Sequence, residues 1–140
     1  MTADGTQICS LTVNTTIPHT NPTDLDITLT SPTGTVVLLS SSNGVGFDDV
    51  FNGTVWNDDA NPGGQVPYAS NDGLVTDHLY VGGTAATPLV PEGALSKFIG
   101  ESPTGTWTLS VTDKTNNALT GTITSWGLNV GRCFRAVPPP

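Results

Sequence analysis

Acidic side chains concentrate in one short segment of the chain. Asp48 and Asp49 lie near its start, and Asp58 and Asp59 lie near its end. Ca²⁺ binds about six to eight hard oxygen ligands, which flexible carboxylate-rich loops supply well. We therefore expect these four aspartates to form a Ca²⁺ site, with a solvated acidic loop containing Asx-turns as the alternative. A glycosidase acid and base is not favoured, because neither pair ends a clear strand in a recognisable cleft motif.

Residues that could support nucleophilic catalysis are scarce. Ser102 lacks the second glycine of a nucleophile elbow, and Pro103 follows it directly. His19 and His78 are the only histidines, and each lies in a polar stretch where a surface or capping role is favoured over catalysis. The two histidines lie far apart, which also argues against a zinc site. These residues predict a non-catalytic module.

Aromatic residues suggest a second kind of binding site. Trp107 and Trp126 fall on the apolar phase of their segments, which predicts core positions. Trp56, Tyr68 and Tyr80 lie in a loop-rich stretch and are candidates to face a ligand such as a carbohydrate. The sequence therefore leaves open a carbohydrate-binding surface beside the predicted Ca²⁺ site.

Composition predicts an all-β domain. The chain has 140 residues, with 16 Gly, 11 Pro, many Thr and Ser, and 11% charged residues. This balance favours short strands joined by turns, as in a β-sandwich, and the length suits one domain. The net charge of -8 argues against nucleic acid binding, which requires clustered Lys and Arg. No apolar run approaches the roughly 18–20 residues of a membrane span.

Alternating apolar residues predict the strands. Period-2 patterns predict three strands in the first part of the chain, the last two forming a hairpin: Ile8–Ile17, Asp24–Thr30 and Thr35–Leu39. Two tryptophan-bearing strands follow later, on either side of a polar turn at Lys114–Asn117. Between Ser40 and Gly93 the alternation fades, which predicts a long functional loop or a loop held by something other than core. The segment Leu95–Ile99 is either a short helical turn or the start of a strand.

The two cysteines lie near opposite ends of the chain. We expect a disulfide between Cys9 and Cys133, with two buried free thiols as the alternative. The chain has no CxxC motif and carries two glycosylation-type triplets, which begin at Asn14 and Asn52. These features favour a secreted protein.

The chain ends suggest a module from a longer secreted protein. Its first residues lack the basic start and apolar centre of a signal peptide, and its last residues are rich in proline. We expect an N-terminal tail at 1–8, a sandwich domain at 9–133 and a linker at 134–140.

Six sequence blocks carry a resemblance to a known family. In order along the chain, they are His19–Leu25, Leu29–Thr35, Thr54–Ala60, Pro91–Phe98, Gly105–Asp113 and Gly121–Leu128. Together they resemble the P domain, also called the Homo B domain, of proprotein convertases and microbial secreted peptidases. The ordered agreement of six blocks is far more specific than any one of them.

The resemblance implies a jelly-roll β-sandwich related to galactose-binding domains. It also implies a non-catalytic module attached behind a serine or metallopeptidase catalytic domain, which it stabilises, helps to fold and tunes. Several microbial members bind Ca²⁺ through loop carboxylates, and by this likeness Asp58 and Asp59 would be the ligands, with Asp48 and Asp49 as weaker additions.

Two other functions stay open from the sequence. One is an extracellular module that binds a carbohydrate or a matrix protein, and the other is a structural or adhesive module of a larger surface protein. The expected partners are the catalytic domain of the parent peptidase and, beyond it, a protein substrate or a matrix protein.

Overall fold

The computed structural model describes residues 5–44, 46–60, 80–115 and 121–134. Six β-strands dominate this part of the chain: β1 (Thr6–Thr16), β2 (Leu25–Thr30), β3 (Val36–Ser41), β4 (Asn52–Trp56), β5 (Thr108–Asp113) and β6 (Ser125–Phe134). Two short 3₁₀ helices connect them, η1 (Pro22–Asp24) and η2 (Leu95–Phe98). Neither described helix is long and apolar enough to cross a membrane.

The strands form two three-stranded antiparallel sheets. One sheet has the order β4-β1-β6 and the other the order β3-β2-β5. This arrangement confirms the predicted all-β sandwich and the hairpin of β2 and β3. The jelly-roll order stays a prediction. β1 begins at Thr6, inside the predicted tail, and β6 ends at Phe134.

The apolar face of each sheet builds one core. In the first sheet Val13 of β1 lies between Trp56 of β4 and Leu128 of β6. Successive side chains of a strand point to opposite faces, so such rows place apolar groups on one side only. The largest fully buried side chains come from both sheets and from the loops: Ile8, Val13, Ile27, Leu29, Val37, Leu39, Phe51, Trp56, Leu89, Leu95 and Phe98.

The strands predicted to carry Trp107 and Trp126 lie in different sheets, and Trp107 directly precedes β5. β5 pairs with β2, whereas β6 pairs with β1 along ten register positions. Trp107 and Trp126 are partly buried and pack against the hydrophobic core, in agreement with the prediction that they face it. The alternation in the sequence identified the buried face of each strand, but it carried no information about which strand is the neighbour.

The middle segment contributes to the core, so the prediction that the stretch between Ser40 and Gly93 is all loop was wrong. It contains β4, and both Phe51 and Trp56 are fully buried. β4 was missed because it has five residues and one of its two buried positions is Thr54. The segment predicted as a helical turn or a strand start forms the 3₁₀ helix η2.

Candidate functional site

Cys9 and Cys133 form the predicted disulfide. Their Cα atoms lie 5.9 Å apart, within the usual range for this bond. The bond joins the first strand to the last, close to a shift in the β1–β6 register between Ile8 and Ser10. The disulfide therefore closes a covalent loop around nearly the whole domain.

The structure gives the four predicted aspartates separate positions. Asp48 is exposed, and its backbone oxygen accepts a hydrogen bond from Gly83 N–H at 2.8 Å. Asp49 uses Oδ1 to accept the backbone N–H of His19 at 2.9 Å. Within the described part of the chain, no three of these four side chains bring their ligand atoms within 4.8 Å of one another. The described residues therefore do not form a single site shared by all four aspartates.

Asp58 and Asp59 have different environments although they are adjacent. The two carboxylate oxygens of Asp58 accept the backbone N–H groups of Leu95 and Ser96, at 2.8 and 2.9 Å. These donors lie at the start of η2, where backbone N–H groups lack helical partners, so Asp58 acts as a cap from a distant segment. Asp59 is exposed, and its own N–H donates to Asn57 Oδ1 at 2.9 Å, which is the Asx-turn of the alternative interpretation.

A cavity of about 430 Å³ lies beside these two aspartates, between β1 and η2. Oxygen-bearing side chains make up much of its lining: Ser10, Thr12, Asn57, Asp58, Asp59 and Ser96. Hydroxyl, amide and carboxylate oxygens are the ligands that Ca²⁺ accepts in proteins. Among the described residues, this cavity is where Asp58 and Asp59 could contact a bound ion.

His19 has the capping role that the sequence allowed, and it also contacts Asp113, which the sequence did not predict. The residue is only 3% exposed, so the surface position considered for it was wrong. Its ring caps the backbone ahead of η1, because Nδ1 accepts the N–H of Asn21 at 2.9 Å. Its Nε2 lies 2.9 Å from Oδ2 of Asp113 at the end of β5. His78 lies outside the described residues.

Among the residues that the structure describes, one group of three metal-ligating side chains has its ligand atoms within 4.8 Å: His19, Asp24 and Asp113. The backbone N–H of Asn21 requires an unprotonated Nδ1, so the proton of the neutral ring lies on Nε2 and points at Asp113. A metal ion on Nε2 would move that proton to Nδ1, against the Asn21 N–H. These three side chains are therefore better suited to hydrogen bonding than to binding a metal ion. The hydrogen bond from His19 is the main cause that lowers the pKa of Asp113.

Glu101 organises a turn far away in sequence, between β2 and β3. Its carboxylate accepts hydrogen bonds from the hydroxyl groups of Ser31 at 2.7 Å, Thr33 at 2.5 Å and Thr35 at 2.6 Å. Burial raises the pKa of the Glu101 carboxyl group, but the three hydroxyl donors together outweigh it and leave the pKa below its usual value. The three hydroxyl residues of this turn indicate that a hydrogen-bond acceptor lies nearby, but the sequence does not show that it is Glu101.

Two of the three aromatic residues proposed to face a ligand, Trp56 and Tyr80, are described by the structure, and both pack into or against the core. Trp56 is fully buried, and its indole N–H donates to Thr15 Oγ1 at 2.9 Å inside the core, so its assignment as ligand-facing was wrong. Tyr80 packs edge-on against Phe51, with ring centroids 6.3 Å apart, and burial raises its pKa. Tyr68 lies outside the described residues.

Fold and site together define a disulfide-stapled β-sandwich module whose polar side chains mainly connect its own loops. The family model described as the proprotein convertase P-domain matches residues 8–64 and 70–130. Because the match covers most of the chain, this protein belongs to the proprotein convertase P-domain family. Searches of the curated proteins and of the solved structures returned no significant match. The family is one of non-catalytic accessory domains that associate with a protease catalytic domain, in the secretory pathway or outside the cell.

Proposed function

We propose that this domain is the accessory domain of a secreted peptidase, which it stabilises, helps to fold and tunes in its calcium dependence or its access to substrates. The observation that carries the proposal is the family match over residues 8–64 and 70–130. A serine peptidase and a metallopeptidase are both compatible with it as the parent enzyme.

The use of the polar side chains supports an accessory role. His19, Asp58 and Glu101 are groups that could act as acids or bases in an enzyme. Each of them instead holds a hydrogen bond between segments distant in sequence. A module built in this way offers its partner a rigid surface, because its loops are tied to one another by their own side chains.

Deleting the domain from its parent peptidase tests this function. We expect lower secretion of active enzyme, a lower melting temperature and a loss of turnover on protein substrates, because the catalytic domain loses the surface that supports it. A catalytic-site knockout of the full-length enzyme is the control, and it should be secreted normally. Unchanged secretion, stability and protein turnover after the deletion would sink the proposal.

We further propose that a Ca²⁺ ion binds in the oxygen-lined cavity beside Asp58 and Asp59, which Asp48 and Asp49 do not line. The exposed carboxylate of Asp59 supports this proposal, as do the lone pairs that remain on Asp58 after its two hydrogen bonds. Such an ion would link the acidic segment to η2 and β1.

The calcium proposal predicts a rise in melting temperature on addition of Ca²⁺. A ligand at 100 times its Kd stabilises the folded state by about 2.7 kcal/mol. Asp59→Asn should abolish most of this rise and leave the calcium-free melting temperature nearly unchanged. Asp58→Asn should lower the calcium-free melting temperature as well, because it weakens the cap on η2. Asp26→Asn, outside the acidic segment, is the control for the calcium-dependent rise. Melting curves that respond to neither Ca²⁺ nor EGTA would contradict the proposal.

The alternative of a carbohydrate-binding or matrix-binding module gains no support from the described residues. Of its candidate aromatic residues, Trp56 is fully buried and Tyr80 packs against Phe51. We therefore propose no second function.

A further inference from the structure

Two Asn-Gly pairs occur in the described part of the chain, Asn43-Gly44 and Asn52-Gly53. An Asn followed by Gly is open to self-modification, because the backbone nitrogen of a glycine is not shielded by a side chain of its own. That nitrogen attacks the side-chain amide carbon of the preceding Asn. Asn is accordingly counted among the thermolabile residues of proteins. The structure places the two pairs in opposite environments.

Asn52-Gly53 is exposed at the first residues of β4. The side chain of Asn52 forms no hydrogen bond with the described residues. The backbone nitrogen of Gly53 donates to Phe51 O at 3.1 Å, across a three-residue turn, and Gly53 has no register partner in β1. Such turns are weakly held, so this nitrogen is less constrained than one in a sheet ladder.

The surroundings of Gly53 leave room for the reaction. A side chain added at Gly53 would meet only the Cβ of Ala85, at 3.9 Å. Asn52 itself lies opposite Thr16, where the β1–β4 register shifts. Ladder geometry is locally disrupted at such a shift, so the peptide link between residues 52 and 53 can rotate with little loss of pairing.

Asn43-Gly44 is buried and tightly packed. Asn43 is only 2% exposed, and its side-chain nitrogen donates to Ser40 Oγ at 2.9 Å and to Ser41 O at 3.1 Å. The position of a Cβ on Gly44 lies 2.8 Å from side-chain atoms of both Pro22 and Val50. Rotation into the attacking geometry would break these contacts and require water in a buried site.

We propose that Asn52 is a site of spontaneous deamidation in the folded protein, whereas Asn43 is protected by the fold. The Gly53 nitrogen loses its proton and forms a bond with the side-chain carbon of Asn52, and ammonia leaves with the side-chain nitrogen. The cyclic imide then takes up one water and opens to aspartate or isoaspartate. Apart from this water, no reactant is required.

The modification changes the edge of the first sheet. Each product adds one negative charge to a chain that already carries a net charge of -8. Isoaspartate also adds one carbon to the backbone at the start of β4, just before the buried residues Thr54 and Trp56. Deamidation therefore produces an ageing form of the domain with a perturbed β4.

Incubation of the bacterially produced chain, which carries no glycan on Asn52, tests the proposal. The chain is held at mildly alkaline pH, folded in one sample and in concentrated urea in another. Peptide mapping by mass spectrometry and isoaspartyl methyltransferase labelling follow each Asn-Gly pair. We expect the folded chain to convert Asn52 and retain Asn43, and the unfolded chain to convert both. Asn52→Gln should remove the signal at this position and leave the melting temperature unchanged.

Two results would overturn the proposal. One is a folded chain that keeps Asn52 intact while the unfolded chain loses it, which would show that the fold protects this pair too. The other is loss of Asn43 in the folded chain at the rate of Asn52. The Asn52→Asp variant carries the added charge on a backbone of normal length. Its melting temperature therefore measures the effect of the charge alone. The calcium and peptidase proposals do not depend on either outcome.

Discussion

Replacing both cysteines by serine is expected to lower the free energy of unfolding by about 4–5 kcal/mol, the value of the chain-entropy model for a loop of this length. Cys9 and Cys133 are separated by 124 positions, so the bond restricts the unfolded chain along almost its entire length. In the folded state the same two strands are already paired from Thr6 to Thr16. The bond therefore acts mainly on the unfolded state, and the native sheet should keep its register.

Urea unfolding of the double variant and the parent chain, followed by tryptophan fluorescence, measures this effect. The reduced parent chain is the matched control and should unfold at the same urea concentration as the Cys9→Ser, Cys133→Ser variant. A loss below about 1 kcal/mol would show that the unfolded chain is already restricted in another way. Typical domains are stable by about 5–15 kcal/mol, so the expected loss is a large share of the total.

Truncating Trp56 to alanine is expected to cost about 3–5 kcal/mol, as is usual for a fully buried aromatic residue. Trp56 is 0% exposed, and its ring lies 5.5 Å from that of Phe51. Its N–H also satisfies Thr15 Oγ1 within the core. The variant therefore loses core packing and leaves a buried hydroxyl group without its partner.

Two further variants separate these causes. Trp56→Phe keeps an aromatic ring but leaves Thr15 unpaired, and Trp56→Phe with Thr15→Val removes both polar groups and should recover part of the loss. Trp126→Ala is the matched control, because Trp126 is only partly buried, and it should cost less. Equal losses at the two tryptophans in urea unfolding would contradict the buried role of Trp56.

The strands with long, regular alternation were predictable from the sequence. β1 and β2 were placed within about two residues, because their apolar side chains recur at every second position and glycine or proline turns bound them. β4 was not predictable in the same way. Its alternation extends over five residues, and a buried threonine, Thr54, interrupts the apolar series.

The disulfide was also predictable, because the chain offers only one pair of cysteines. The environment of the aspartates was not. Asp58 and Asp59 are identical and adjacent in sequence, yet one caps η2 and the other faces solvent. That difference depends on where η2 packs, which local composition does not encode.

The sequence by itself determined the all-β class, the buried face of the main strands and the membership of a P-domain family. These are consequences of local periodicity, of turn residues and of motifs in a fixed order. Only the tertiary structure decided which polar groups meet. His19 and Asp113 are 94 positions apart, and Ser31 and Glu101 are 70 apart. A hydrogen bond between such residues leaves no periodic mark on the chain, because it depends on how the two sheets and their loops pack together.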